Sequence, residues 1–279
     1  MYLTPVRCPA CGREGRPGED GLPTVSREDR VDIHCQCGQV FQLESPLGQM
    51  VLSANPFARL RAVSNAMDFG LVAVTPGCTS EVRFAEPFDF VCRAFFTAIG
   101  VPIVVKELEL RPDGMTIMSS FVDKGRVAEN DALVSWQVYG LRGINGLPLW
   151  RVHFCSAVSQ LENGLFKSAL LDYAVAFEAC IEHFLRQRFT ARCGAKVAEH
   201  LLDKTRSAEE RCTSLLKLAS GHDLGDEPEL LRSWKRHVQK PRNELAHGSR
   251  RLVDRDAAEQ AHQAVYQAIV WIEHLAQES

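Results

Sequence analysis

Two groups of residues in this 279-residue chain have the types and spacing that chemistry needs. The first is four cysteines near the N-terminus, in Cys8-Pro9-Ala10-Cys11-Gly12 and Cys35-Gln36-Cys37-Gly38. A turn carrying two thiols, with a glycine that lets the backbone fold beneath the metal, presents two soft ligands; two such turns fill the four corners zinc prefers. Cys8, Cys11, Cys35 and Cys37 are therefore the expected ligands of a structural Zn2+ in a zinc ribbon, with 23 residues between the two turns. The second turn is one residue shorter than the usual C-x-x-C, and His34 beside it is a spare donor. Iron in a rubredoxin-like site and four unrelated thiols are the alternatives. Four protein ligands leave no open coordination position, so the metal would hold the segment folded and would take no part in catalysis.

The second group is Lys240-Pro241-Arg242-Asn243-Glu244-Leu245-Ala246-His247-Gly248. Between Arg232 and Arg251 lie seven basic residues and one acid, Glu244, a local net of +6 (7 − 1) in a chain whose net charge is −3. A phosphate backbone is drawn to such a stretch. Arg242 and His247 on a helical turn or its frayed end can converge on one face. Cleaving RNA without a metal requires the 2′-hydroxyl to attack the adjacent phosphorus. A histidine with a near-neutral pKa can carry the proton, and an arginine can hold the charge that develops on phosphorus. Against this stands the plain reading of an R-x4-H as a basic helix end that suits the helix dipole.

The stretch R-N-E-L-A-H-G, placed before the last helix of an α-helical region, resembles the R-x4-6-H motif of the HEPN family (higher eukaryotes and prokaryotes nucleotide-binding domain). The helix around Ala176-Phe177-Glu178-Ala179 is similar to that family's first long helix, and Leu147-Pro148-Leu149-Trp150 to a lead-in of some members. The resemblance covers roughly the last 120 residues. It implies a metal-independent endoribonuclease, a toxin or antiviral defence effector, active as a homodimer with both motifs on one groove. It further implies Arg242 as phosphate stabiliser, His247 as general acid/base, Asn243 as polar helper and Glu178 as an orienting acid. A helix–helix salt bridge is the alternative for Glu178. Where some members carry Tyr two residues after the histidine, this chain has Ser249, which argues against control by modification at that position. RNA is the implied partner, a regulatory protein a further one. The alternative function is a non-catalytic scaffold or nucleic-acid sensor.

Composition sets the frame that must position these groups. Apolar residues are 46% and charged residues 24%, enough for a buried core. The balance of 32 basic against 35 acidic residues excludes RNA binding by bulk charge. The ribbon segment itself carries five Arg against seven Asp plus Glu, so a protein contact suits it as well as an RNA contact. No apolar run approaches the ~18 residues of a membrane span, and no export signal is visible, so a cytoplasmic protein with reduced thiols is expected.

The expected class is multi-domain α+β. An N-terminal zinc ribbon occupies 1–47, a central antiparallel β-rich domain 48–159, and a C-terminal four-helix, HEPN-like α-helical bundle 160–279. The β reading rests on short runs between turn signals: Leu71–Val74, Val82–Phe84, Phe88–Phe96, Ile103–Leu110, Met115–Phe121, Leu133–Tyr139 and Leu149–Phe154. A short helix is allowed around Asn55–Met67. In the bundle, Phe166, Leu170, Tyr173, Phe177, Cys180 and Phe184 form one helical stripe; Ala261, Val265, Ala268, Ile272 and Leu275 form another. Two further helices are expected over about Ala195–Ala219 and Pro228–Gln239, the latter stopped by Pro241. His153 and Cys155 read as strand packing and not as a catalytic pair. Trp136, Trp150, Trp234 and Trp271 read as core or interface anchors, with Trp234 of interest because it sits inside the basic stretch.

Overall fold

A computed structural model describes residues 56–100, 102–121, 132–205, 207–249 and 252–277, with four short strands before them. The chain divides into two compact units, Met1–Asn65 and Ala66–Ser279.

In the first unit β1 (Val6–Arg7) pairs antiparallel with β2 (Glu14–Gly15), and β3 (Asp32–His34) with β4 (Val40–Gln42). The four cysteines expected to hold zinc, Cys8, Cys11, Cys35 and Cys37, lie outside the described residues. One helix, α1 (Pro56–Val63), follows and buries Ala58, Leu60 and Val63.

The second unit starts with six strands: β5 (Ala66–Val74), β6 (Thr79–Arg83), β7 (Phe90–Ile99), β8 (Ile103–Arg111), β9 (Gly114–Phe121) and β10 (Ala132–Leu141). They form two three-stranded antiparallel sheets, in the orders β5-β10-β7 and β6-β9-β8. The period-2 pattern decides the faces. Val134, Trp136 and Val138 of β10 join Val82, Met115 and Ile117 of the other sheet in one core. Phe84 meets Phe88 edge to face at 5.4 Å and leans on Trp136 at 5.9 Å. Gly140 is required where β10 runs past β7: a Cβ there would sit 2.3 Å from the Phe90 carbonyl oxygen. A bulge at the same place shifts the register, so that Tyr139 stands opposite Arg93 and Gly140 opposite Val91. Bulges re-aim side chains, and the Cys92 sulfur lies 3.2 Å from that of Cys155 in the next helix.

Helices follow. They are α2 (Leu149–Glu162), α3 (Phe166–Cys193), α4 (Ala195–Lys204), α5 over 208–220, α6 over 228–246 and α7 (Arg255–Gln277). α2 folds back on α3 through a turn at Gly164, whose φ is 77°. α2 also packs on β7, where the Ser159 hydroxyl donates to the Cys92 carbonyl at 2.8 Å and Arg93 donates to the Glu162 carbonyl. The α3 stripe is buried from Leu170 to Phe184, and the α7 stripe from Ala261 to Leu275. Arg188 of α3 clamps the end of α7 by donating to the Leu275 carbonyl at 2.9 Å.

The expected class is corrected on three counts. The described residues hold two small three-stranded sheets, confined to 66–141, and a helical region that outweighs them. Leu149–Phe154 is the first half of a helix and not a strand, so no separate β domain extends to 159. A six-residue window hides its period. Carried on, it buries Phe154, Cys155, Val158 and Leu161, a spacing of 1, 3 and 3 that belongs to a helix. His153 and Cys155 consequently lie on α2, with the His153 Nδ1 3.6 Å from Asp172. The helical region is also not a four-helix bundle, since six helices lie among its described residues and two of them change pitch internally. Pro241 does not stop α6. Ahead of it, Lys235–Gln239 form a π-helical turn, and the α-helix resumes over Lys240–Ala246. A proline in a helix removes one N–H and drives its ring at the carbonyl four residues back. The wider π turn relieves both, and the helix runs on. No helix among the described residues is long and apolar enough to cross a membrane.

Candidate functional site

The continuation of α6 past Pro241 decides where the candidate residues stand. Arg242 and Asn243 sit on its last two turns, and His247 is the residue that caps its end. The His247 N–H still donates to the Asn243 carbonyl at 3.0 Å, so the helical path holds up to the histidine. Five residues of α-helix turn about 500°, which sets His247 roughly 140° around the axis from Arg242. The expected convergence of the two on one face of one chain therefore does not occur.

Arg242, Asn243 and Glu178 do come together. They line a cleft of ≈ 220 Å³ between α3, the start of α5 and α6, with Ser207, Gln239 and Trp234 among their neighbours. The Arg242 guanidinium lies 3.8 Å from the Glu178 carboxylate, and both side chains are about half exposed. Arg242 also donates to the Asn243 side-chain oxygen at 3.3 Å. These contacts are long, so the guanidinium keeps donors free toward the opening. Trp234 is 2% exposed and packs on Phe177 with ring centroids 5.0 Å apart. It is a floor for the cleft and presents no free face for a base.

The walls are held by neighbouring ion pairs. Arg211 of α5 donates to the Thr205 carbonyl at 2.7 Å and the Leu202 carbonyl at 3.1 Å, capping α4, and pairs with Glu182 of α3 at 3.0 Å. Glu182 is held below the ordinary carboxylate range, first by its hydrogen bond from Arg186 and then by the charge of Arg211. Lys235 reaches across to Glu209 of α5 at 2.5 Å. That bond, with a second from Gln239, holds Glu209 below its usual pKa. α5 carries its own π turn, Arg211–Leu215, and starts at Ser207, whose hydroxyl accepts from the Glu210 N–H.

These pairs change the electrostatics read from the local sequence. Of the basic residues between Arg232 and Arg242, Arg232 is answered by Glu229 at 2.7 Å, Lys235 by Glu209, Lys240 by Glu244 at 4.0 Å and Arg242 by Glu178. Glu178 and Glu209 come from other helices, so no count within the stretch could include them. Arg236 alone of this run forms no ion pair among the described residues.

No family model, curated protein or solved structure matches this chain. The geometry above therefore stands by itself.

His247 is exposed and lines neither this cleft nor the second groove described below. Among the described residues its ring makes no hydrogen bond or ion pair. Ser207, Gln239 and Glu209 are site neighbours that sequence reasoning missed, and their only signal was polarity near a helix start. No cluster of metal-ligating side chains exists among the described residues.

Proposed function

We propose that the chain is a metal-independent endoribonuclease of HEPN type, acting in the cytoplasm as a homodimer. One observation carries the reading: an open cleft gathers Arg242, Asn243 and Glu178 from helices far apart in sequence. The R-N-E-L-A-H-G motif supplies the histidine one turn further on.

The chemistry follows from those groups. The ribose 2′-oxygen attacks the neighbouring phosphorus, the 5′-oxygen leaves, and the products are a 2′,3′-cyclic phosphate and a 5′-hydroxyl. Arg242 donates to the non-bridging oxygens as charge builds on them. Asn243 and Glu178 hold the guanidinium from two sides. His247 transfers the proton, as a base from the 2′-hydroxyl or as an acid to the leaving oxygen. Since Arg242 and His247 face different ways on one α6, the pair that acts on one phosphate is formed by Arg242 of one copy and His247 of the other. Zinc on Cys8, Cys11, Cys35 and Cys37 holds the N-terminal segment folded. The pairing of β1 with β2 and of β3 with β4, on either side of the two cysteine turns, supports that role.

The competing reading, a non-catalytic scaffold or nucleic-acid sensor, is favoured by the ion pairs that answer most of the α6 cations. The test separates the two. Purified protein is incubated with RNA in EDTA and the ends are analysed. Cyclic phosphate ends that vanish in Arg242→Ala and in His247→Ala support the nuclease. Mixing those two inactive variants should restore activity at sites built from the intact residues of each. Equal products from wild type and both variants refute it.

A further inference from the structure

A second groove opens on the other side of α6, between it and the first turns of α7. Its volume is ≈ 270 Å³, and Arg236, His237, Lys240, Glu244 and Gln260 line it over a floor of Pro241. Three features set it apart from an ordinary solvated helix face.

Its charge is positive and only partly answered. Arg236 forms no ion pair among the described residues, and Lys240 meets Glu244 only at 4.0 Å. Every other cation of this helix between Arg232 and Arg242 is matched at a shorter distance by an acid. Its donors are also varied. His237 of α6 and Gln260 of α7 both line the groove. Burial, and then the charge of Arg236, hold His237 below its usual pKa, so near neutrality it adds a ring N–H without adding repulsion. At the start of α7, Asp254 already accepts from the Ala257 N–H at 2.8 Å, so that donor is taken.

The position of the groove gives it a meaning. Lys240 and His247 are seven residues apart, about two turns, and so share a stripe of α6. The groove thus lies on the His247 side of the helix and the Arg242 cleft on the other. A helix with its side chains is only ~10–12 Å across, a span that a few nucleotides of extended strand cover.

We propose that the α6–α7 groove is a phosphate subsite for single-stranded RNA, in which Arg236 and Lys240 hold a backbone phosphate next to the stripe that carries His247. This inference rests on the nuclease reading for its choice of ligand. Its test is a binding measurement in which no bond is cleaved.

The probe is a fluorescein-labelled 2′-O-methyl RNA, which lacks the attacking hydroxyl. Its affinity is followed by anisotropy across a salt series for wild type, the double variant Arg236→Ala/Lys240→Ala, and Arg232→Ala as a control that removes a cation of the same helix outside the groove. Each single-strand phosphate contact contributes about 0.7 to the slope of log K against log salt. The double variant, which loses the one phosphate that the two cations share, should lose about 0.7 of that slope and at least tenfold in affinity at low salt, with Arg232→Ala close to wild type. Inorganic phosphate as competitor distinguishes the sources: release of RNA only at high ionic strength supports a strand subsite, whereas release at low phosphate with an unchanged salt slope marks a free-anion site and overturns the proposal. Equal slopes in all three proteins also overturn it, even where native RNA is cleaved. If the slope falls as expected while native RNA stays intact, the groove stands and the nuclease reading falls. Failure of wild type to bind RNA sinks both.

Discussion

Replacing Glu178 with Gln tests whether the acid beside Arg242 serves structure or chemistry. At 3.8 Å, opposite unit charges attract by about 1 kcal/mol in water and about 4 kcal/mol at an effective dielectric of 20. Both side chains are close to half exposed, so solvent screening and side-chain entropy reduce the net to below about 1 kcal/mol. For a unit of this size, that moves the melting temperature by no more than about 2–4 °C. The same energy is what a phosphate must overcome to take the guanidinium from Glu178. Its removal should therefore tighten binding of a non-cleavable RNA by up to about fivefold, since 1.4 kcal/mol is tenfold. Cleavage should slow, because the guanidinium loses the partner that orients it. Thermal melting, anisotropy and a single-turnover cleavage assay read the three quantities on one preparation. A fall of more than 10 °C in melting temperature would show that Glu178 is a structural link. Unchanged affinity together with unchanged rate would remove it from the site altogether.

Other outcomes follow from the same structure. Trp234→Ala deletes the floor of the cleft and the contact with Phe177, at a cost of roughly 3–5 kcal/mol; the melting temperature should fall by about 6–20 °C. Gly140→Ala forces a methyl against the Phe90 carbonyl and should cost about 1–3 kcal/mol, visible as a lower urea midpoint with an unchanged m-value. His237 has a lowered folded pKa, so the unfolded chain takes its proton first as pH falls. Its contribution to stability is complete above about 6.5 and is lost as pH drops from there toward the folded value. Urea midpoints at pH 5.5, 6.5 and 7.5 should be less pH-dependent in His237→Asn, and an identical dependence would refute the assignment. Elemental analysis of purified protein should find zinc, and Cys35→Ser should lose it; zinc retained by Cys35→Ser would exclude that ligand.

Much of the β layer was legible because turn residues bracket short runs, as Pro112-Asp113-Gly114 does between β8 and β9. The apolar stripe of α3 was equally plain, since its buried residues recur over many turns. Leu149–Phe154 misled because an apolar stretch of six residues has no distinguishable period. Pro241 misled because its effect on a helix depends on the pitch of the turn before it, which no local pattern of residue types reveals. At the site, the motif named Arg242 and Asn243, but the charge around them was misjudged. Glu209 and Glu178 approach through packing of α5 and α3 on α6, and sequence distance conceals them. The spacing of Arg242 and His247 suggested one face of a helical turn or its frayed end, but five residues of continuous α-helix set them roughly 140° apart.

The π turn at Lys235–Gln239 makes α6 two screws joined out of phase. Trp234 locks the first into the core, and the second carries Arg242 and His247 outward. A shortened variant lacking a single residue of that turn would keep every side chain the chemistry calls for. It would nevertheless rotate the outer screw by roughly 100°, pointing the guanidinium away from Glu178 while the composition of the motif stays intact. The aim of the site is thus encoded in a residue count, and an insertion or deletion there would be more damaging than most substitutions within it.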